Sequence, residues 1–142
     1  MLCFITYQKT IKHIDQIVEI LVQEFPHIKT IIQNINERHD NVILGDEEKI
    51  LYGQGYIYDT LLKNQYKISL KSFYQINPIQ VEVLYQTAID LAHLNQDSVV
   101  LDAYCGIGTI TLSLAKHVKK VYGVEVIYQA IEDAKNNALL NK

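Results

Sequence analysis

The sequence has few cysteines, and they are not grouped. Cys3 and Cys105 stand far apart with no CxxC pair, which argues against a disulfide framework and a cysteine zinc site. The histidines do not cluster either. His13, His27, His39, His93 and His117 share no metal-ligand spacing, so each reads as an ordinary surface or partly buried side chain, and no metal is expected. No apolar run approaches the roughly 20 residues that span a bilayer, and the opening MLCFITYQKT lacks the positive flank and cleavage site of a signal peptide. A cytoplasmic chain without membrane contact is expected. Basic charge is not in excess: the net charge is -3, which disfavours nucleic-acid binding through bulk electrostatics and leaves room only for a local basic face. Internal repeats and low-complexity linkers are absent.

What is present is enough apolar material for a core, 49% of 142 residues, in a length that suits one ordinary domain or two small ones. Two kinds of pattern divide it. In the first part LCFITY reads as a strand. A helix follows from about Ile11, with Ile14, Ile17, Val18, Leu21, Val22 and Phe25 at helical spacing, and Pro26 ends it. The runs IKTIIQNIN, NVILG, EKILYG, YIYDTLL and YKISL then read as meander strands, separated by turn chemistry such as Gly45-Asp46 and Lys63-Asn64-Gln65. Near residue 75 the period changes. Asn77-Pro78 offers an N-cap and a first-turn proline, and Val81, Leu84, Tyr85, Ala88, Leu91 and Ala92 share a face. Strand 98–102, helix 109–118, strand 121–124 and helix 128–140 complete a βαβα pattern, the start of a parallel sheet with a right-handed crossover. The expected fold class is therefore α/β, with a small α+β domain over 1–72 and the first half of a Rossmann-like domain over 73–142. Two parallel strands before Lys142 are fewer than a doubly wound sheet contains, so further sequence is expected to complete it. The exposed strand edge is expected to favour self-association.

The segment DAYCGIGT, Asp102 to Thr109, lies between the two patterns that define a ligand site in such sheets. A strand ending in an acidic residue turns through Gly106 and Gly108 into a helix, where the backbone can approach a ligand and helix N–H groups face it. Glu125 ends the next strand about nineteen residues after Gly106, the spacing at which a carboxylate meets the ribose hydroxyls of a nucleoside cofactor. A tight turn without a ligand is the plainer alternative for two glycines alone. The dinucleotide fingerprint fails because Thr111 stands at its third glycine position, and no GK[ST] follows to make a phosphate loop. An S-adenosylmethionine pattern remains.

The order SFYQINPIQVEVLY, VVLDAYCGIGTITLSLA, VYGVEV and AIEDAKNNA resembles the class I RNA uracil-C5 methyltransferases, which methylate uridine in ribosomal and transfer RNA. The first half, with IIQNIN, NVILG and YIYDTL, is similar to the bacterial ribosomal RNA branch. The resemblance covers essentially the whole chain, and the aromatic-Cys-Gly-x-Gly run at Tyr104 is its most specific element. It implies S-adenosylmethionine as cofactor and RNA as partner. Gln75 would contact the methionine portion and Tyr104 would lie against it in the loop. Glu125 would accept hydrogen bonds from the ribose, with Asp102, Gly106, Gly108 and Thr109 forming the surrounding turn. Read without the resemblance, Gln75 is equally a solvated residue before a helix, and Tyr104 one of ten tyrosines.

The family's chemistry adds a thiolate to carbon 6 of uracil so that carbon 5 attacks the methyl group, and a base then removes the carbon 5 proton. The resemblance places that cysteine and base beyond Lys142, and an N-terminal OB-like module before Met1, so this chain is expected to be inactive alone. Cys105 is a poor candidate for the nucleophile, since a side chain inside the cofactor turn faces the ligand or the sheet. Cys3 reads as a small core residue. Lys116, His117, Lys119 and Lys120 could touch RNA phosphate, although cations near a helix C-terminus suffice to explain them. The competing readings are a non-catalytic RNA- or protein-binding module and, against the absent third glycine, an NAD-dependent oxidoreductase.

Overall fold

In the computed structural model, which describes residues 1–142, β1 (Leu2–Thr6) and β2 (Ile31–Ile35) run parallel and are joined through helix α1 (Ile14–Glu24). β3 (Glu47–Tyr52) pairs antiparallel with the other edge of β2, giving the order β1-β2-β3. The first pair is parallel because the intervening 11-residue helix returns the chain to the same end of the sheet, whereas β2 and β3, among the runs expected as a meander, pair antiparallel. None of α1 is fully buried, and Ile17 and Phe25 of its expected apolar face lie exposed.

β2 is the buried strand, and Gln33 and Asn34 are buried with it. Polar groups there need partners. Gln33 Nε2 donates to Thr6 Oγ1 at 2.9 Å and to Gln8 O at 3.1 Å. Asn34 closes a two-bond ring on Gly45, accepting from its N–H at 2.7 Å and donating to its carbonyl at 3.0 Å. That ring explains why NVILG, expected as a strand, is a loop. Asn36 Nδ2 takes the carbonyls of Val42 and Ile43, both at 2.8 Å, so side-chain amides satisfy the backbone that a ladder would otherwise serve. A Cβ at Gly45 would overlap the Ile35 carbonyl, which restricts the position to glycine.

The chain divides into two compact units, Met1–Ile57 and Tyr58–Lys142. β4 (Tyr56–Leu61) and β5 (Asn64–Ser69) form a hairpin whose turn is Leu62-Lys63, both at positive φ, 47° and 64°. A two-residue hairpin requires that conformation, and it favours Asn-Gly over the residues present. Asn64, expected in the turn, is the buried first residue of β5.

Helix α2 (Pro78–Leu91) starts where the sequence places it: Asn77 Oδ1 accepts from Gln80 N at 3.1 Å and Pro78 occupies the first turn. Its buried stripe is Val81, Tyr85 and Ile89, at four-residue spacing, whereas Leu84 and Leu91 of the expected face are exposed. β6 (Val99–Asp102), α3 (Thr109–Ala115), β7 (Lys120–Gly123) and α4 (Tyr128–Leu140) follow. β6 and β7 are parallel, in register from Val99↔Lys120 to Asp102↔Gly123. The ladder runs on past the strand ends, with Val124 N donating to Asp102 O at 2.9 Å and Cys105 N to Val124 O at 3.0 Å. No helix is long and apolar enough to cross a membrane.

The left-handed turn gives a test. Replacing Leu62→Asn together with Lys63→Gly should stabilise the chain by about 1 kcal/mol by relieving two non-glycine residues at positive φ. Denaturant unfolding should show a higher midpoint at unchanged slope.

Candidate functional site

The turn from β6 into α3 sits at the carboxyl end of the parallel strands. Gly106 and Gly108 adopt positive φ, 54° and 86°, and Gly108 is the N-cap of α3. Their surroundings differ. A Cβ on Gly106 would meet nothing within 4 Å, whereas one on Gly108 would stand 3.5 Å from Ala134 Cβ on α4. Gly106 therefore lines open space, and Gly108 allows the turn to approach α4.

Glu125, just beyond β7, closes this turn from the other strand. Its Oε2 accepts from Gly106 N at 3.1 Å, and its Oε1 accepts from Val126 N at 2.7 Å and Ile127 N at 2.8 Å. Ile127 is the N-cap of α4, so one carboxylate ties the glycine turn to the start of that helix. These donors, the Ile127 N–H foremost, hold the Glu125 carboxyl below its ordinary value. An ionised carboxylate offers about four acceptor directions, so acceptor capacity remains for a ligand hydroxyl.

Asp102 and Thr109 anchor the two ends of the turn. Asp102 Oδ2 accepts from Thr111 Oγ1 at 2.5 Å, which links the end of β6 to the first turn of α3. Thr109 is held twice: its carbonyl accepts from Tyr66 Oη at 3.0 Å, and its Oγ1 pairs with Tyr85 Oη at 2.9 Å. The buried tyrosines of β5 and α2 thus converge on one residue. Sequence reading missed this use of Tyr66 and Tyr85, although a buried tyrosine needs a partner for its hydroxyl, and Tyr85 lay on the predicted apolar face.

Gln75 lies half-buried on the segment before α2. That segment is tethered at two points just before Gln75. Ser72 Oγ donates to Asp133 Oδ2 of α4 at 2.9 Å, and the Tyr74 ring sits 6.3 Å from that of Tyr66. Burial, together with the nearby Asp59 carboxylate, pushes the Tyr74 hydroxyl well above its usual range, so it stays protonated. Tyr104 is 89% exposed, in contrast to a core aromatic.

Cys105 is buried in the turn. Its sulfur packs toward β7, where a Cβ on Gly123 would lie 3.0 Å from Sγ. Burial, then the Asp102 and Glu125 carboxylates, raise its thiol pKa, which disfavours the thiolate that a nucleophile requires. Cys3, half-buried in β1, is likewise raised, chiefly by burial. Lys116, His117, Lys119 and Lys120 are exposed around the end of α3, with Lys120 Nζ 4.5 Å from the centroid of the Tyr122 ring. No group of three His, Cys, Asp or Glu residues is placed to hold a metal ion.

The depressed Glu125 carboxyl predicts a pH dependence. A group whose folded value lies below its unfolded one contributes stability that is complete above the ordinary carboxylate range and fades as pH falls through the folded value. Thermal unfolding followed from about pH 6 down to about pH 3 should show a shallower acid loss for Glu125→Gln than for the natural chain.

The sequence model of the tRNA (Uracil-5-)-methyltransferase family matches residues 5–142. An uncharacterized RNA methyltransferase of Streptococcus mutans is 55% identical over 141 residues, which are 99% of this chain and 31% of that protein. Another, from Oceanobacillus iheyensis, is 48% identical over the same shares. The chain thus spans about a third of the length of these curated relatives. Among solved structures, the Pyrococcus abyssi tRNA (uracil-54, C5)-methyltransferase, in complex with S-adenosyl-L-homocysteine, superposes with a TM-score of 0.74 at 24% identity, over 96% of this chain and 32% of that one. The M. jannaschii tRNA m1G37 methyltransferase gives 0.59 at 17% identity, over 99% and 42%. Both structural likenesses are of fold, mixed α/β with small sheets. With the family match running from the first strand to the last residue, the chain belongs to the tRNA (Uracil-5-)-methyltransferase family.

Proposed function

We propose that this chain is the cofactor-binding segment of an S-adenosylmethionine-dependent RNA uracil-C5 methyltransferase, acting in the cytoplasm on ribosomal RNA as part of a longer protein. The observation that carries the reading is the open space over Gly106, a glycine whose N–H is held by the Glu125 carboxylate. The residues present suit a nucleoside cofactor without pyrophosphate: a hydroxyl acceptor at Glu125, a glycine turn that leaves room, and no third glycine. When bound, the cofactor supplies an electrophilic methyl group on a sulfonium centre. In this reading Glu125 holds the ribose, Gln75 meets the methionine portion and Tyr104 lies against it. Asp102, Gly106, Gly108 and Thr109 shape the turn, residues 73–142 being the cofactor unit and 1–72 the central domain. The named proteins with this fold include one complexed with S-adenosyl-L-homocysteine, which supports the choice of cofactor.

The chain alone would not complete the reaction. Carbon 5 of uracil needs a thiolate at carbon 6, and the raised thiol of Cys105, turned toward β7, is poorly suited to that role. Calorimetry with S-adenosyl-L-homocysteine should give binding that Glu125→Ala weakens by about tenfold or more, the worth of lost charged hydrogen bonds. Supplied instead with methyl-labelled S-adenosylmethionine, the chain should transfer no label to unmodified ribosomal RNA. RNA binding without cofactor binding would favour a non-catalytic module instead, and NAD binding without response to S-adenosyl-L-homocysteine would favour an oxidoreductase.

The two-stranded β6-β7 sheet also leaves Val99, Leu101 and Tyr122 exposed, which supports self-association of the isolated chain. Sedimentation velocity should show species larger than a monomer that grow with concentration, and a concentration-independent monomer would overturn the proposal.

A further inference from the structure

Asn137 and Asn141 lie one turn apart on the buried side of α4 and just past its end, facing the outer edge of β5. Lys67 N donates to Asn137 Oδ1 at 2.7 Å, and Asn137 Nδ2 donates to Lys67 O at 3.3 Å. Gln65 N donates to Asn141 Oδ1 at 2.8 Å, and Asn141 Nδ2 donates to Gln65 O at 2.7 Å. The spacing makes this double pairing feasible. Four residues of helix rise about 6 Å, and two residues of strand extend about 6.6 Å. Each carboxamide thus serves the strand edge as a neighbouring strand would.

The two asparagines differ in where their second donor goes. Asn141 Nδ2 returns to Asn137 O in its own helix, at 2.7 Å. Asn137 Nδ2 reaches Ile107 O at 3.0 Å, and Asn137 is wholly buried. Ile107 is the residue between the two positive-φ glycines, and its side chain is buried as well. Anchoring its carbonyl fixes the plane of the Ile107-Gly108 peptide. The N–H of that peptide is fixed too, donating to Cys105 O at 2.8 Å. Within the glycine segment of the turn, Glu125 therefore restrains Gly106 N and Asn137, from α4, restrains Ile107 O.

We propose that Asn137 is a positioning residue of the nucleoside-cofactor turn. Its carboxamide, registered on β5, sets the Ile107 peptide and through it the pose that Gly106 and Gly108 present to the cofactor. This rests on the cofactor reading above, and Asn141 supplies the matched control, with the same clamp on the same strand but no bond to the turn.

The test compares Asn137→Asp with Asn141→Asp in the 142-residue chain, by calorimetry with S-adenosyl-L-homocysteine and by amide hydrogen exchange. Asn137→Asp keeps the acceptor for Lys67 N–H and loses the donor to Ile107 O. It should lower affinity by about tenfold and speed exchange at Gly106 to Thr109, while Asn141→Asp lowers thermal stability with affinity changed less than about twofold. Lowering the pH should restore affinity to Asn137→Asp, because a protonated carboxyl regains one donor. Should Asn137→Asp not fold, Asn137→Ser, neutral and smaller, gives the same comparison. Equal affinity loss in both variants, or none at position 137, would overturn the proposal. If the natural chain binds no S-adenosyl-L-homocysteine, the cofactor reading fails, and the exchange rates of the turn amides still decide whether Asn137 positions them.

Discussion

Backbone groups that no strand covers must still be paired, and in this chain asparagine side chains pair them. A carboxamide sets an acceptor oxygen beside an NH2 donor, as a backbone C=O and N–H would be presented, so it can complete a strand edge or a loop without a further strand. Asn34 does this for Gly45 beside the central strand of the first unit, and Asn137 and Asn141 do it for β5 in the second. Doubly bonded, and at Asn34 and Asn137 wholly buried, these amides are satisfied, and each fixes a register that apolar packing alone would leave free to slide. The positions of α4 on the hairpin, and of the loop before β3, follow from them.

The turn at the candidate site inherits that order. α4 is registered on β5, and Tyr66 of β5 holds Thr109 at one end of the turn while Asn137 of α4 holds Ile107 within it. Tyr85 brings α2 to the same threonine. Glu125 then joins the turn to the start of α4, so the loop that crosses from strand to helix is restrained from four elements. A loop so held presents its open side, above Gly106, in one conformation, and preorganisation of that kind limits the entropy lost when a ligand binds. Cys105 is spent on packing against β7, and its neighbours oppose ionisation.

Much of the second unit was readable because local chemistry and tertiary role coincide there. Asn77-Pro78 starts a helix by capping and by the fixed φ of proline, whatever surrounds it. The run from Asp102 to Glu125 carries its meaning in positive-φ glycines and in the strand-to-helix spacing. The first unit was harder. NVILG has the residues of a strand and forms a loop because Asn36 and Asn34, elsewhere in the chain, take its carbonyls. The short runs after the first helix suggested a meander, and β2 does pair antiparallel with β3, while the parallel pairing of β2 with β1 follows from the helical connection between them. On α2 the hydrophobic positions span more than one face, and only packing selects Val81, Tyr85 and Ile89 over Leu84 and Leu91.

By itself the sequence determined the βαβα period, the helix start at Asn77 and the glycine turn with its two acidic flanks, because each depends on backbone preferences and spacings of a few residues. It also carried the family, through an ordered set of motifs that needs no coordinates to read. Only the tertiary structure decided that Glu125 bonds Gly106, that two tyrosines meet at Thr109, and that Asn137 rather than Asn141 reaches Ile107. Those contacts join residues 19 to 43 positions apart, and hydrogen bonds at such separations are selected by how helices and strands pack, which no local pattern encodes.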